Sequence, residues 1–425
     1  MEQKFPKGFF WGAAISAHQT EGGCLDDWSE WEKETAKIHQ QNANSQKWPD
    51  YILNEYPSPL EGANYISGGA CDHYNRFLED FEIAKSLGLN AFRFSIEWSK
   101  IERKAGQFDQ REIEHYKKVV MALKERGMEP FVTLWHWPLP LWVSKKGGWN
   151  FQEIIDYFAR YVTKVVSAFK DDIRFWLTIN EPEVYTIESY LLGHWPPQKR
   201  SLLSAFAVIQ NLIKTHKKAY RIIKSINPKA QVGIAKHNVC FEAYKNKPVN
   251  QILKKAADFF WNFYFLNQIK NEQDFIGLNY YFHSRINYGF SKNENKIVSD
   301  MGWELYPQGI YYVLKDLKKY QKPIYITENG LADARDKYRA WYIKEVLKNV
   351  YRAIGEGVDV RGYFYWSLLD NFEWAQGFWP RFGLVKMDYK NLKRTIRPSA
   401  KLYAKIAQTN CVSEEDEKEG SEDIF

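Results

Sequence analysis

Short apolar runs rich in β-branched and aromatic residues alternate along this chain with longer stretches of helical period. Eight such runs stand out, at residues 9–16, 90–98, 129–137, 174–180, 231–238, 274–281, 323–328 and 360–368. Between them, Ile154, Ile155, Phe158, Tyr161, Val162, Val165, Val166 and Phe169 recur at i, i+3, i+4, i+7 spacing and mark one apolar stripe on a helix. The pattern predicts further helices over 72–87, 110–126, 202–226, 251–270, 307–320 and 337–355. Near-continuous apolar strands are those buried on both faces, as in parallel sheets covered by helices. Eight of them, each followed by a helical stretch, predict an α/β fold, a single (β/α)8 TIM barrel with elaborated front loops, over an open sheet. The stretch 35–69 is rich in Asn, Gln, Pro and Gly and has no clear period, so it is expected as a front loop beside the active site.

Composition narrows the class. With 425 residues, 45% apolar and 17% aromatic, the chain can bury the core of one large barrel, assigned to 1–410. Residues 411–425 are set apart as an acidic, disordered tail, because 413–423 hold seven carboxylates and one lysine. The net charge of +7 therefore understates how basic the barrel is. Lys214, Lys217, Lys218 and Lys224 nevertheless fall on the polar faces of expected helices, which makes a solvated surface the better reading than a nucleic-acid stripe. The opening MEQKFPKGFFWGAA lacks the layout of a secretion signal, and no 18-residue apolar run follows. A soluble, cytoplasmic protein with no membrane partner is expected, its four scattered cysteines free thiols; oligomeric state stays open.

No Gly-rich phosphate loop, HExxH pair or Cys/His cluster is present, so neither metal nor cofactor is expected. In a (β/α)8 barrel the reacting groups sit at the C-terminal strand ends. The fourth strand runs RFWLTI into Asn180-Glu181-Pro182, and the seventh runs PIYIT into Glu328-Asn329-Gly330. Two carboxylates facing one cavity suit glycosidic cleavage, in which one protonates the departing oxygen and the other attacks the anomeric carbon. One must be neutral and the other charged, so an arginine beside the nucleophile is expected, and Arg93 on the second strand is the candidate. The other strand ends supply Gln19, Glu21, His136, Trp137, Asn279, Tyr281, Trp366, Glu373 and Trp374, a mixture suited to a hydroxylated ring. His18, His194 and His237 are expected as satisfied core histidines.

Six motifs, FPKGFFWGAAISAHQTEG, RFSIEW, TINEP, DFIGLNYY, YITENG and YFYWSLLDNFEW, occur in that order. Together, from Phe5 to about Ile406, the chain resembles the family 1 glycoside hydrolases. The resemblance implies a retaining β-glycosidase, with Glu181 as acid/base, Glu328 as nucleophile and a carboxylate separation of about 5 Å. It implies that Arg93 and Tyr281 contact the nucleophile, that Asn180 holds the sugar 2-hydroxyl, and that Asn279 joins the network around the nucleophile. It places Gln19, His136, Trp366, Glu373 and Trp374 around the remaining hydroxyls. The substrate is then a small neutral β-glycoside or oligosaccharide, most readily a β-glucoside, with β-galactosides and β-fucosides open. A carboxylate at 373 disfavours 6-phosphorylated sugars, and Glu181 disfavours the myrosinase branch, which has glutamine there. The alternatives are a 6-phospho-β-glycosidase and a catalytically weak carbohydrate-binding barrel. Three departures bear on the leaving-group side: the short run from Asn262 to Asp274, the His136–Pro140 segment, and the stretch from Trp48 to Tyr65.

Overall fold

The computed structural model describes residues 2–413. Eight parallel strands close into a barrel. They are β1 (Phe10–Ala14), β2 (Ala91–Ser95), β3 (Glu129–Thr133), β4 (Phe175–Asn180), β5 (Gln231–Ala243), β6 (Phe275–Ile286), β7 (Ile324–Asn329) and β8 (Val360–Trp366). Each pairs with its neighbour in sequence, and β8 closes on β1 with Ala14 opposite Trp366. This is the (β/α)8 barrel the alternating pattern predicts. The expected strands all form, but β5 and β6 run past 238 and 281 and stay paired out to Ala243 and Ile286, well beyond the other strand ends.

Two cores hold the molecule. Inside the barrel, Phe10, Phe131, Phe175, Phe275, Tyr325 and Phe364 pack ring on ring, with Phe131 and Phe175 stacked 4.1 Å apart. These rings fit because glycine faces them: a Cβ on Gly12 would lie 2.4 Å from the Phe364 ring and one on Gly233 2.6 Å from Phe275. The plug fills the floor and leaves the C-terminal mouth for polar groups. Outside, the apolar stripes of the helices bury against the strands. The helix Ile154–Phe169 buries Phe158, Tyr161, Val162, Val165, Val166 and Phe169, each burial contributing roughly 1.5–3 kcal/mol.

The stretch following β1 differs from its expectation. Residues Asp27–Asn44 form an 18-residue helix, α1, rather than an irregular loop. Its start is a capping box: the Asp26 carboxylate accepts from the Ser29 amide at 2.8 Å while Ser29 Oγ accepts from the Asp26 amide at 3.0 Å. Only beyond it does the chain become irregular, with one short turn of helix at Asp50–Leu53 and a 3-10 turn at Gly62–Tyr65. The expected helix 251–270 is broken as well. It comprises α2 (Pro248–Ala257), a π-helical turn (Asp258–Phe263) and α3 (Tyr264–Ile269).

The boundary drawn at 411 also moves. Cys411–Val412 pair antiparallel with Gln3–Lys4, so the ordered fold extends past 410, and Val412 is buried. The rest of the acidic segment, from 414, lies outside the described residues. Among the described residues no helix is long and apolar enough to cross a membrane, and all four cysteines are buried.

Candidate active site

A cavity of about 1200 Å³ opens at the C-terminal ends of the strands. His136, Asn180, Glu181, Tyr281, Glu328, Trp366, Glu373 and Trp374 all line it, so eight of the residues singled out from sequence converge on one space. Local backbone turns them inward. The register of β4 on β5 shifts between Leu177 and Asn180, and that of β6 on β7 between Leu278 and Asn279, irregularities that re-aim side chains at a barrel rim. Glu181, Trp137 and Trp374 hold φ of 42°, 87° and 49°, a left-handed conformation that costs a non-glycine residue about 1 kcal/mol or more.

The two carboxylates have different company. Glu328 accepts from Arg93 Nη1 at 2.5 Å and from Tyr281 Oη at 2.9 Å. Arg93 is itself fixed by Asn180 Oδ1 at 2.6 Å and Thr133 Oγ1 at 3.1 Å. Among the described residues Glu181 accepts only from Asn279 Nδ2, at 2.7 Å, and Asn279 is held in turn by Thr327 Oγ1. Burial raises the pKa of both acids, and the Glu328 charge raises Glu181 further; at Glu328, Arg93 and Tyr281 pull the other way. The shared proton therefore belongs on Glu181, leaving Glu328 ionised.

His136 accepts from Asn180 Nδ2 at 3.1 Å, and burial together with Arg93 keeps it neutral, well below the ordinary imidazole value. Trp137 donates to the Asn180 carbonyl at 2.9 Å. Glu373 has one carboxylate oxygen, Oε2, with no partner, and burial with the Glu328 charge pushes its pKa up to about 8. An unfilled acceptor in the wall of a polar cavity is suited to a sugar hydroxyl.

Three predicted residues lie behind the wall. Arg93 and Asn279 act through the carboxylates they hold. Gln19, expected at the hydroxyls, is fully buried, with Oε1 accepting from Ser16 Oγ at 2.6 Å and Nε2 donating to Phe372 O at 2.7 Å and Asn371 Oδ1 at 3.2 Å. It fixes the turn that carries Glu373. Glu21 faces away altogether, paired with Lys100 at 2.7 Å and Tyr116 at 2.9 Å.

Of the three histidines expected as satisfied core residues, only His18 is both buried and bonded through both ring nitrogens. Its ring nitrogens bond Asp26 at 3.0 Å and Glu32 at 2.7 Å, and its face stacks on Trp374. Cys24 comes within metal-ligand reach of His18 and Asp26, but both imidazole nitrogens are already engaged, and burial pushes the Cys24 thiol up to about 12. The trio is thus equipped to brace the wall rather than to ligate a metal. His194 and His237 instead line the cavity. Sequence reasoning also passed over Trp31, His39 and Asn42, which α1 presents to the cavity, and Trp195 and Trp303. The three from α1 recur at i, i+8 and i+11 with Thr35 between, a helical spacing that was available in the sequence.

A closed eight-stranded barrel whose mouth holds an acid, an arginine-bound carboxylate and hydroxyl-binding polar groups is the architecture of a glycoside hydrolase. The chain belongs to glycosyl hydrolase family 1, whose family model matches residues 1–268 and 236–412. It is 34% identical to beta-glucosidase A of Thermotoga maritima, over 96% of this chain and 98% of that protein. It is 29% identical to a beta-galactosidase of Pyrococcus woesei, over 98% of this chain and 99% of that one. Among solved structures it superposes on a beta-glycosidase from Pyrococcus horikoshii with a TM-score of 0.87 and 35% identity, covering 99% of this chain and 98% of the other. The protein is accordingly an O-glycosyl hydrolase, a retaining β-glycosidase of this family.

Proposed function

We propose that the chain hydrolyses terminal, non-reducing, unphosphorylated β-D-glucosides, with Glu181 as acid/base and Glu328 as nucleophile. The observation that carries these roles is the unequal company of the two carboxylates: an arginine and a phenol on Glu328, one amide on Glu181. In the first displacement Glu328 attacks the anomeric carbon while Glu181 gives its proton to the departing oxygen. The Glu328 charge is then spent in the glycosyl ester, the repulsion that raised Glu181 disappears, and Glu181 becomes a base for the incoming water. Asn180, anchored by Arg93, is the group we assign to the 2-hydroxyl, where a hydrogen bond tightens as charge develops at the anomeric carbon. Glu373 takes outer hydroxyls through its unfilled oxygen. An acidic side chain there, rather than a basic one, offers a 6-phosphate no counter-charge, which supports a neutral glycone.

A second reading, cleavage of β-galactosides or β-fucosides, is favoured by the likeness to a beta-galactosidase and by Glu373, whose carboxylate can accept from either orientation of a 4-hydroxyl. Release of p-nitrophenol from the β-glucoside, β-galactoside and β-fucoside ranks the three. Glu328→Ala should abolish turnover, and azide should restore it with product of the opposite anomeric configuration. An inactive native enzyme, or an azide product of unchanged configuration, would overturn the assignment.

A further inference from the structure

The catalytic cavity has a second, apolar region that the sugar chemistry does not use. Starting at Tyr281, whose hydroxyl holds Glu328, a chain of rings leads outward: His237 stacks on Tyr281, and Trp261 and Phe282 pack on His237 at 5.8 and 5.4 Å. Val239 and Phe241 on the overlong end of β5, and Phe260 on the π-helical turn, continue the same cavity wall, and Phe290 packs on Phe241 at 6.5 Å. These residues come from the segments where β5 and β6 overrun the barrel and where the route into β6 is short.

Two features say what this wall receives. Its polar members are nearly all spent: His283 bonds Glu304 and Glu242, and Ser284 Oγ accepts from the Ser291 amide. Beside the nucleophile's ring shell, one buried ring N–H is left over. His237 is 3% exposed, its Nδ1 accepts from Trp261 Nε1 at 3.3 Å, and burial holds its pKa down at about 3, so the neutral ring keeps its proton on Nε2, which has no partner. Beyond that N–H the wall is mainly apolar out to solvent, with Val239, Phe241, Phe260 and Phe290 in it. Phe260 is 68% and Phe290 51% exposed, and Phe259, packed on Phe260, is 46% exposed. Large side chains left uncovered at a cavity mouth mark a surface with an occupant.

We propose that this wall is the leaving-group site for β-glycosides whose aglycone is a hydrocarbon chain joined through its glycosidic oxygen, with His237 Nε2–H donating to an oxygen at the junction. The occupant is the substrate's own tail, because the wall is continuous with the nucleophile's ring shell and encloses the same space as Glu181 and Glu328. A sugar aglycone would leave its hydroxyls unpaired against Val239, Phe241 and Phe260, at a cost a hydrocarbon escapes. This inference rests on the β-glycosidase reading above.

The test compares kcat/KM for methyl and octyl β-glucosides below micellar concentration, with cellobiose and p-nitrophenyl β-glucoside alongside. Methanol and octanol are equally poor leaving groups, so their ratio reads the tail alone. Octyl should exceed methyl by on the order of 100-fold, the effect of three to four buried methylenes at about fourfold each. Phe260→Ser and Phe290→Ser, both at exposed positions, should together cut that ratio about tenfold or more, while the exposure of both rings makes loss of folding an unneeded outcome. Hydrolysis of a β-glucosyl lipid in phosphatidylcholine vesicles, lost in the same double variant, would assign the tail to a bilayer source; turnover of the monomeric octyl glycoside alone would assign a soluble one. An octyl-to-methyl ratio near one, with no vesicle hydrolysis and p-nitrophenyl glucoside still cleaved, overturns the hydrocarbon site and leaves the β-glycosidase reading intact. Failure on every glycoside would instead sink that reading.

Discussion

At the scale of single residues, the chemistry turns on which of two buried acids keeps a proton. Glu181 is the one raised most, by burial and then by Glu328, and the Asn279 amide donates to it. Turnover on glycosides with poor leaving groups should therefore fall as pH rises through the Glu181 pKa, because the proton needed for departure is lost. Glu181→Gln should remove that basic limb and lower kcat/KM on such substrates by about 10²–10⁴, the usual worth of general acid catalysis. With 2,4-dinitrophenyl β-glucoside, which departs unaided, the loss in kcat/KM should be far smaller. Equal losses on both substrates would mean that Glu181 positions rather than protonates. Both carboxylates could be read from sequence because each ends an apolar run; the supporting contacts could not. Nothing in the order of residues shows that Gln19 turns its amide into the Phe372 carbonyl, or that His237 leaves a nitrogen unpartnered, since both depend on how three separate segments meet.

At the scale of elements, α1 shows why part of the site was hidden. The barrel strands announce themselves because they are buried on both faces, and the outer helices because one face meets them. Helix α1 instead buries Trp28, Trp31, Glu32, Thr35 and Ala36 and turns part of that same side to a wet cavity, so polar and small residues occupy positions where a core helix would carry Leu or Val. What specifies it is its start. Asp26 caps the helix through Ser29 and also pairs with His18, which holds Glu32 one turn on and stacks on Trp374. Burial is the largest single influence on the His18 imidazole and lowers its pKa, but the two carboxylates together outweigh it and raise the pKa well above its ordinary value, which favours the cation. Asp26→Ala should thus remove a cap worth about 1 kcal/mol and unbalance a buried ion triad at a cost of about 3–5 kcal/mol, a total loss of about 4–6 kcal/mol in urea unfolding. It should also raise KM, since the Trp374 face loses its backing. A Tm change within 1 °C would rule out the triad as the element's anchor.

At the scale of the whole molecule, the strongest tension lies between the charge the site needs and the charge the fold tolerates. Glu373, with a folded pKa of about 8 against an ordinary 4.5, is a carboxyl that folding prefers to keep protonated. The sign follows from linkage. The unfolded chain releases that proton near its ordinary value, so whatever Glu373 contributes is fully present below about pH 4.5, shrinks as pH rises, and becomes a standing cost once pH passes about 8. The same direction holds for Glu97, also raised to about 8 by burial and by Asp26. Stability of the native chain should therefore decline between pH 5 and 8 more steeply than in a variant lacking the group. Glu373→Gln keeps the shape, removes the titration and satisfies the wall with an amide. At pH 7.5 it should raise stability by ~2 kcal/mol, a value discounted for the partial exposure of the side chain, and the gain should vanish at pH 4.5. The same variant should lose affinity for the glycone, because an amide is a weaker acceptor for a sugar hydroxyl than a carboxylate. Unfolding curves of both proteins across that range, with kcat/KM on one glucoside, decide it. A stability difference independent of pH would show that Glu373 is already ionised and paid for elsewhere in the fold, whereas gain and loss moving together would make the unfilled oxygen a cost carried for binding.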